Sequence, residues 1–472
     1  MRQGLTYVAP LLLAVGGIAL AAAACSSSDK RGTFEVAEAD SGAGNTPPVF
    51  TPGETPCQGL ECKRVACDNG ATTTITGKVY DPAGANALYN VLVYIPGGPN
   101  GDKPLPPIAN SLDTNVACET CAALALDPMV SSLTNTKGEF KLENVPVDKD
   151  VPVVIQVGKW RRQLKFDVSK KCEENKVPDR EFRLPKNGSE GDMPHIAVTA
   201  GGCDALECLL RGIGIDDKEF VAGNDPKGHI HVFNGDGGDF TGAPPAGGTA
   251  SDPFGGQLWN DVDKVSKFDM VMLSCECSEN NDNKGGAVGR PGARQALWDY
   301  ANKGGRIFAT HFHYTWFKNS PQGDWQQVAN WSPSSDSGKV YDVDTSFPKG
   351  VAFSDWLVNV NASSTPGKIQ LTDVTNSLSS VRAPAQSWIK QSDNNVRYFS
   401  FNAPTEKPAE EQCGRAVYSD LHLMGISAGG QTFPAGCPAS GGLSAQQKAL
   451  EFMFFDLAGC VQADDKPPVV PK

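Results

Sequence analysis

Three short runs of this sequence gather side chains that can move protons, hold metals or attack carbonyl carbon. The apolar run Met270-Val271-Met272-Leu273 leads into Ser274-Cys275-Glu276-Cys277. Arg306-Ile307-Phe308-Ala309-Thr310 leads into His311-Phe312-His313-Tyr314-Thr315-Trp316-Phe317. Ala416-Val417-Tyr418 leads into Ser419-Asp420-Leu421-His422. Ligands of open α/β sheets bind beyond the carboxyl ends of strands, so a site is expected where these runs end. The catalytic candidates are His311, His422, Asp420 and Cys275, and the candidate binding contacts are His313, Tyr314, Trp316 and Glu276.

Two chemistries compete for these residues. His311 and His313 are two apart, so they point the same way if the strand continues. His229 and His231 repeat that spacing, and Asp420 and His422 share a face of theirs. Two imidazoles with a carboxylate form a competent ligand set for zinc or iron. The metal candidates are therefore His311, His313 and His422, and the implied cofactor is a divalent metal such as zinc. A hydrogen-bonded core histidine is the plainer alternative. In the second chemistry, Cys275 is a nucleophile activated by His311 or His422. The nearby Cys277, in an oxidising compartment, points instead to a disulfide. The rings from His311 to Phe317, with Trp325 and Trp331, suit stacking on sugar faces or sealing a core. Asp236-Gly237-Gly238-Asp239 and Asn281-Asp282-Asn283 read as calcium-touching loops or as solvated turns.

The elements that carry these runs alternate between strand and helix. His195 to Thr199, His229 to Phe233, Met270 to Leu273, Arg306 to Thr310, Val396 to Phe401 and Ala416 to Leu421 read as strands. Leu206 to Ile213 and Leu258 to Val265 read as helices. Ala293, Ala296, Leu297, Tyr300 and Ala301 fall on one helical face that stops at Gly304-Gly305. Ser444 with Gln447 forms a capping box that opens a last helix. This alternation predicts a flavodoxin-like, mostly parallel sheet covered on both faces, spanning 194–462.

Upstream the pattern is different. From Thr72 to about 185, short strands are separated by turn residues with no helical period, which predicts an N-terminal β-sandwich. Ile75, Gly77 and Val79 alternate with polar neighbours, Asp81-Pro82-Ala83-Gly84 is a turn, and Val91 to Ile95 and Val151 to Val157 are further strands. The fold class is thus α/β plus all-β. An insertion from about Gly97 to Met129 carries Cys118-Glu119-Thr120-Cys121, a C-x-x-C read as structural disulfide chemistry before redox or zinc chemistry.

The two regions resemble known families. Thr76-Gly77-Lys78-Val79-Tyr80-Asp81, the strand ending Val93-Tyr94-Ile95-Pro96, and Thr136 through Gly138, Phe140, Leu142, Val145 and Pro146 resemble the carboxypeptidase regulatory-like (prealbumin-like) family. That resemblance implies a binding or spacer domain, in some cases for carbohydrate. Phe268 to Leu273, Ala296 to Tyr300 with Gly304 to His311, and Gly414 to His422 resemble the class I glutamine-amidotransferase-like fold, and within it the trehalose-utilisation family. The resemblance implies a nucleophilic Cys, a His and a Glu just after that His. Here His311 stands where the Cys is expected, and His422 is followed by Leu423 and Met424. The chain is therefore not expected to be a standard glutamine amidotransferase. Two readings follow: a binding or structural protein, with glycans as candidate ligands, or a hydrolase on carbohydrate-like or amide substrates.

The start of the chain carries an address. Met1-Arg2 precede an apolar stretch from Leu5, and Ala21 to Ala24 run into Cys25. This is a secretory signal, and it resembles a bacterial lipoprotein signal, which implies a lipid on Cys25 and membrane lipid as a partner. Residues 26–56 read as a disordered tether, 57–71 as a Cys-rich segment and 463–472 as a flexible tail. The expected location is the outer membrane, cell surface or periplasm. Among the 472 residues are 14 Cys. With Cys25 set aside for lipid the number is odd, so at least one thiol lacks an intramolecular partner. The close spacings Cys57/Cys62 and Cys203/Cys208 suggest pairs. The net charge of -12 excludes a nucleic-acid-binding surface of the usual basic kind.

Overall fold

The computed structural model describes residues 57, 59–97, 105–118, 128–223, 225–235, 256–285, 292–333, 338–392, 395–423 and 437–470. The signal, Cys25, the 26–56 tether, Cys121 and the Asp236 to Asp239 loop lie outside the described residues.

The N-terminal strands form two sheets. β1 (Thr74–Lys78) is flanked by β4 (Glu139–Glu143), antiparallel, and β7 (Glu174–Lys176), parallel. β2 (Leu92–Pro96), β3 (Pro128–Leu133), β5 (Val151–Val157) and β6 (Trp160–Phe166) make an antiparallel sheet in the order β3-β2-β5-β6. β4 alternates exposed Glu139, Lys141 and Glu143 with buried Phe140 and Leu142, the period of a sheet with one wet face. Ile75, Phe140 and Leu142 share a core with Val93, Ile95, Val153 and Ile155. The other face of the four-stranded sheet buries Leu92, Tyr94 and Val154 under Leu105 and Val470. Cys57–Cys62 and Cys67–Cys172 tie the Cys-rich segment down.

The second half is built on a mixed sheet of ten strands among the described residues. Six are parallel: β8 (Ile196–Ala200), β9 (Phe220–Ala222), β10 (Ile230–Asn234), β11 (Met270–Leu273), β12 (Arg306–Thr310) and β19 (Gly414–Ser419). Their order is β19-β12-β11-β8-β10-β9. The strands bury both faces. Met270, Met272 and Phe308 face one core, and Val271, Leu273, Ile307 and Ala309 face the other. Helices α1 (Leu206–Gly212) and α4 (Ala445–Ala458) cover the first face, and α2 (Ala293–Asn302) the second. Both capping-box bonds are made at Ser444 and Gln447.

The insertion 318–395 extends the sheet. β13 (Ala329–Asn330) and β16 (Ser380–Val381) pair with each other. β14 (Val340–Val343), β15 (Lys368–Gln370), β17 (Gln386–Ser392) and β18 (Asn395–Ala403) continue the sheet antiparallel from β19, in the order β15-β14-β17-β18. α3 (Pro348–Asn359) covers them, with Phe353 and Trp356 buried. The sheet is therefore more mixed than the β/α alternation predicts, with β17 and β18 joined by a tight hairpin-like connection that can only be antiparallel. The predicted helix 258–265 is two short turns, Gly256–Trp259 and Val262–Val265, the second capped by Asp261. The segment after Cys460 is held in place: Asp464 pairs with Lys349 and Arg415 at 3.1 and 3.0 Å.

The sandwich and the α/β region share α4. Trp160 meets Phe454 edge-on at 5.6 Å and Phe455 at 5.7 Å. Trp356 donates its indole N–H to the carbonyl of Ala87 at 2.6 Å, and Cys118 is bonded to Cys413. Between them lies a buried acid pair. Asp81 is 0 % and Glu451 0 % exposed. Asp81 accepts the Ala85 N–H at 2.7 Å, and Glu451 accepts the Asn86 side-chain N–H at 2.7 Å. One oxygen of each carboxyl group, Asp81 Oδ2 and Glu451 Oε1, is buried without a donor among the described residues, and the Lys448 ammonium is a neighbouring cation. Burial pushes Asp81 up to about 6. Burial and then the charge of Asp81 hold Glu451 well above the usual carboxylate range. Two carboxylates this close cannot both ionise cheaply, so the pair keeps a proton.

A raised pKa in the folded state gives stability that is full below the unfolded value and lost as pH rises through the folded one. The pair should therefore weaken the fold as pH rises from about 4 through 6 and beyond. Glu451→Gln keeps the acceptor for Asn86 and gives Asp81 a permanent N–H donor. Between pH 5 and 8 the wild type should lose about 1–3 kcal/mol more than Glu451→Gln. Guanidinium unfolding at both pH values measures it, and identical pH slopes would refute the shared proton.

Candidate functional site

Chain order and spatial order part company at β8. The chain leaves β8 for β9 and β10 on one side, then crosses to β11 on the other. A crevice opens at such a point, beyond the carboxyl ends of the two strands. The loops there are Gly201 to Asp204 after β8 and Ser274 to Cys277 after β11. Register brings in the neighbouring ends: Leu273 is level with Thr199 and Ala309, and Thr310 with Ser419.

Three donor atoms meet at this edge. The Cys275 sulfur and one imidazole nitrogen each from His311 and His422 lie within 4.8 Å of one another. Cys275 Sγ is 3.3 Å from His311 Nδ1, and the His311 and His422 rings are 5.0 Å apart. Cys275 is 0 % exposed and is the free cysteine among the described residues. Its N–H donates to the Thr310 hydroxyl at 3.0 Å, which fixes the strand end. His311 has φ +38°, in the left-handed region a β-carbon disfavours. The Tyr418 hydroxyl lies 2.8 Å from its carbonyl and holds that turn. His422 sets Nδ1 3.7 Å from the Asp373 carboxylate. Its Nε2 is buried without a hydrogen-bond partner among the described residues.

Burial dominates the electrostatics. It pushes the Cys275 thiol up to about 12. Burial and then the neighbouring His422 press His311 down to about 3. Near neutrality the site thus holds a thiol and a neutral imidazole. The backbone N–H groups of Phe312 and Cys277 favour the Cys275 thiolate, but burial outweighs them, whereas a metal ion in contact would supply a full positive charge.

The other predicted residues go elsewhere. The strand ends at Thr310 and tightens into a 3-10 turn over His311–Tyr314, so His313 does not share the direction of His311. His313 is 1 % exposed. Its Nε2 bonds the Ser274 carbonyl at 2.8 Å and its Nδ1 accepts the Trp316 indole N–H at 2.9 Å. Both nitrogens are occupied, so His313 is no metal donor in this conformation. Trp316 is itself buried against Trp259 at 5.1 Å, away from any ligand. Glu276 forms a fully buried ion pair with Lys284. Asp420 accepts the Thr375 hydroxyl at 2.8 Å, the Ser377 N–H at 2.9 Å and the Ser377 hydroxyl at 2.7 Å. It anchors the 375–377 loop instead of entering the cluster. Tyr314 remains half-buried, bonded to Glu279 and stacked on Trp331 at 6.0 Å.

The secondary clusters also resolve. His195 Nδ1 bonds His231 Nε2 at 3.0 Å, and His229 pairs with Glu219 at 2.5 Å. The Asn281 side-chain carbonyl takes the Thr315 hydroxyl at 2.7 Å and the Asn319 N–H at 3.2 Å, which spends it on the fold and not on calcium. Cys277 bonds Cys203, and Cys208 bonds Cys437. The pairings Cys275/Cys277 and Cys203/Cys208 are thus corrected, while Cys57–Cys62 forms as its spacing suggests.

Three residues around the site carried no motif. Asp204 is buried and accepts the Leu423 N–H at 3.0 Å and the Ala205 N–H at 3.1 Å. Its second oxygen has no partner among the described residues. Gln446 donates to the carbonyls of His422 and Asp373, at 2.6 and 2.8 Å. Asp373 stands behind His422. Only Asp204, in the loop ending β8, had a positional signal.

No family model matches the chain, and no curated protein matches its sequence. Among solved structures, a cytoplasmic protein of Salmonella typhimurium aligns over 57 % of this chain and 100 % of its own, at 11 % identity and TM-score 0.28. A ThuA-like protein of Bacteroides uniformis aligns over 55 % of this chain and 89 % of its own, at 11 % identity and TM-score 0.28. A cohesin–X-dockerin complex of Acetivibrio cellulolyticus aligns over 33 % of this chain and 79 % of its own, at 15 % identity and TM-score 0.16.

Proposed function

We propose that this chain is an exported, lipid-tethered hydrolase whose α/β region holds one transition metal, of the zinc class, through Cys275, His311 and His422. The observation that carries this reading is the meeting of three donor atoms within 4.8 Å. The buried, unpartnered Nε2 of His422 fits it, since a buried nitrogen without a partner is costly. Three protein donors are the number found at catalytic zinc, which keeps a further position for water or substrate. A bound ion of this class would polarise a carbonyl or acidify water. Asp373, 3.7 Å from Nδ1, is placed to orient His422 as carboxylates orient metal-bound imidazoles.

The substrate is carbohydrate-like or an amide. His311, Phe312, Tyr314 and Trp331 form a row of rings, with centroid steps of 4.0, 6.3 and 6.0 Å. Phe312, Tyr314 and Trp331 are each partly exposed, as a stacking platform requires. The disulfides fit an oxidising compartment, and no helix among the described residues is long and apolar enough to cross a membrane. Anchoring would rest on the lipid at Cys25. A second reading, a glycan-binding protein without turnover, is favoured by the full burial of Cys275.

Metal-stripped protein reloaded with Co2+ should take up one ion per chain, with a sulfur-to-metal absorption band. His311→Ala and His422→Ala should each weaken uptake at least about 100-fold, since each removes a direct donor. A chain that stays metal-free after reloading overturns the metal centre. Turnover of glycosides or amides that vanishes in His311→Ala separates the hydrolase from the binding protein.

His313→Ala should act oppositely. It should leave one Co2+ per chain and lower stability by about 1–3 kcal/mol, because Ser274 and Trp316 lose their partner in the core. Chemical unfolding alongside the Co2+ titration tests this, and loss of metal without loss of stability would contradict it.

A further inference from the structure

An exposed disulfide ties the loop that carries the buried Cys275 to the loop after β8. Cys203 and Cys277 are both exposed, while Cys275 and Asp204 beside them are buried. The bond joins the loop after β8 to the loop after β11, the two sides of the crevice. Cys203 also donates its N–H to the Cys275 carbonyl at 3.0 Å. The approach is close: a β-carbon at Gly201 would stand 2.2 Å from that carbonyl oxygen. On the other side, Cys277 has φ +64°, a conformation non-glycine residues adopt only when held. Asp204, next to Cys203, accepts the N–H of Leu423, next to His422. One covalent bond therefore reaches two of the three donors. Through Cys277 it holds the loop of Cys275, and through Cys203 and Asp204 it holds the backbone beside His422.

We infer that the Cys203–Cys277 disulfide is a redox-sensitive clamp that sets the geometry, and hence the metal affinity, of the Cys275–His311–His422 site. This inference rests on the proposed metal centre. Cys203 and Cys277 are positioning residues, not ligands. Labile disulfides are the strained or exposed ones, and this one is exposed with a left-handed residue at one end. An external dithiol is the co-reactant. One of its thiolates attacks a sulfur of the pair, breaking the Cys203–Cys277 bond and forming a mixed disulfide. Its second thiolate then displaces the remaining cysteine. The dithiol leaves as a cyclic disulfide, oxidised by two electrons, and Cys203 and Cys277 are left as two thiols. Cys277 can then leave φ +64°, the loop of Cys275 relaxes, and the donor set loses its preorganisation.

The test is a Co2+ titration of the full-length protein, comparing the wild type, Cys203→Ser/Cys277→Ser and a control, Cys57→Ser/Cys62→Ser. The Cys203→Ser/Cys277→Ser variant should bind Co2+ about 10–100-fold more weakly, the usual effect of losing outer-shell support. Its sulfur-to-metal band should remain, because Cys275 is intact. The control should match the wild type. If the double variant folds poorly, mild dithiol treatment of the wild type replaces it, with alkylation and mass spectrometry reporting when Cys203–Cys277 opens. Affinity should fall on opening and return after treatment with a disulfide oxidant. Unchanged or tighter Co2+ binding once the bond is open overturns the clamp. A wild type that binds no Co2+ refutes the metal centre itself.

Discussion

The parallel register of β8, β11, β12 and β19 is the constraint on which the site depends. It levels Thr199, Leu273 and Ala309 across three strands, and Thr310 with Ser419 on the next pair. Residues one to three steps beyond those positions are brought to one edge. Cys275, His311 and His422 are those residues, drawn from segments far apart in the chain. The register is held by apolar burial on both faces, since every residue of β8 and β11 is buried. Loss of either helical cover would blur the level at which the donors meet. The packing of α4 and α2 is thus as much a part of the site as the donors are.

Five of the six parallel strands were legible because buried apolar runs bounded by glycine and polar residues have few other readings, while the three-residue β9 was not. Met270 to Leu273 and Arg306 to Thr310 are such runs. The insertion 318–395 was not legible as sheet. Val340–Val343 is only four residues long and Gln386–Ser392 is mostly polar, so pairing with neighbouring strands decides their state more than their own pattern does. Helix 258–265 broke at Asp261, whose side chain prefers to cap the next turn. In each case a tertiary or capping interaction outweighed the local period.

The site was half legible for a related reason. Position at a strand end selected Cys275, His311 and His422, because a parallel sheet exposes its ends to ligand. It could not separate them from His313 and Asp420, which sit at the same ends. What separates them is hydrogen-bond satisfaction. His313 uses both ring nitrogens on Ser274 and Trp316, and Asp420 is saturated by Thr375, Ser377 and Tyr418. The buried Nε2 of His422 has no hydrogen-bond partner among the described residues. The supporting residues Asp373 and Gln446 belong to the insertion and to the last helix, where no spacing relates them to the histidines.

Satisfaction also explains how the fold can keep a reactive set in its interior. Asp420 binds Tyr418 at 2.8 Å, and that same hydroxyl lies 2.8 Å from the carbonyl of His311. A carboxylate that never enters the cluster thereby helps to hold the left-handed turn at φ +38°. Gln446 likewise fixes the carbonyls of His422 and Asp373 together. The residues that do not contact the cluster hold the backbone, while within it Cys275 Sγ and His311 Nδ1 lie 3.3 Å apart and His422 Nε2 has no partner among the described residues. That division of labour leaves the Cys275, His311 and His422 side chains to set the chemistry at the strand ends. A core histidine needs its nitrogens filled by the protein: His313 has both filled by Ser274 and Trp316, whereas the buried Nε2 of His422 has no partner among the described residues.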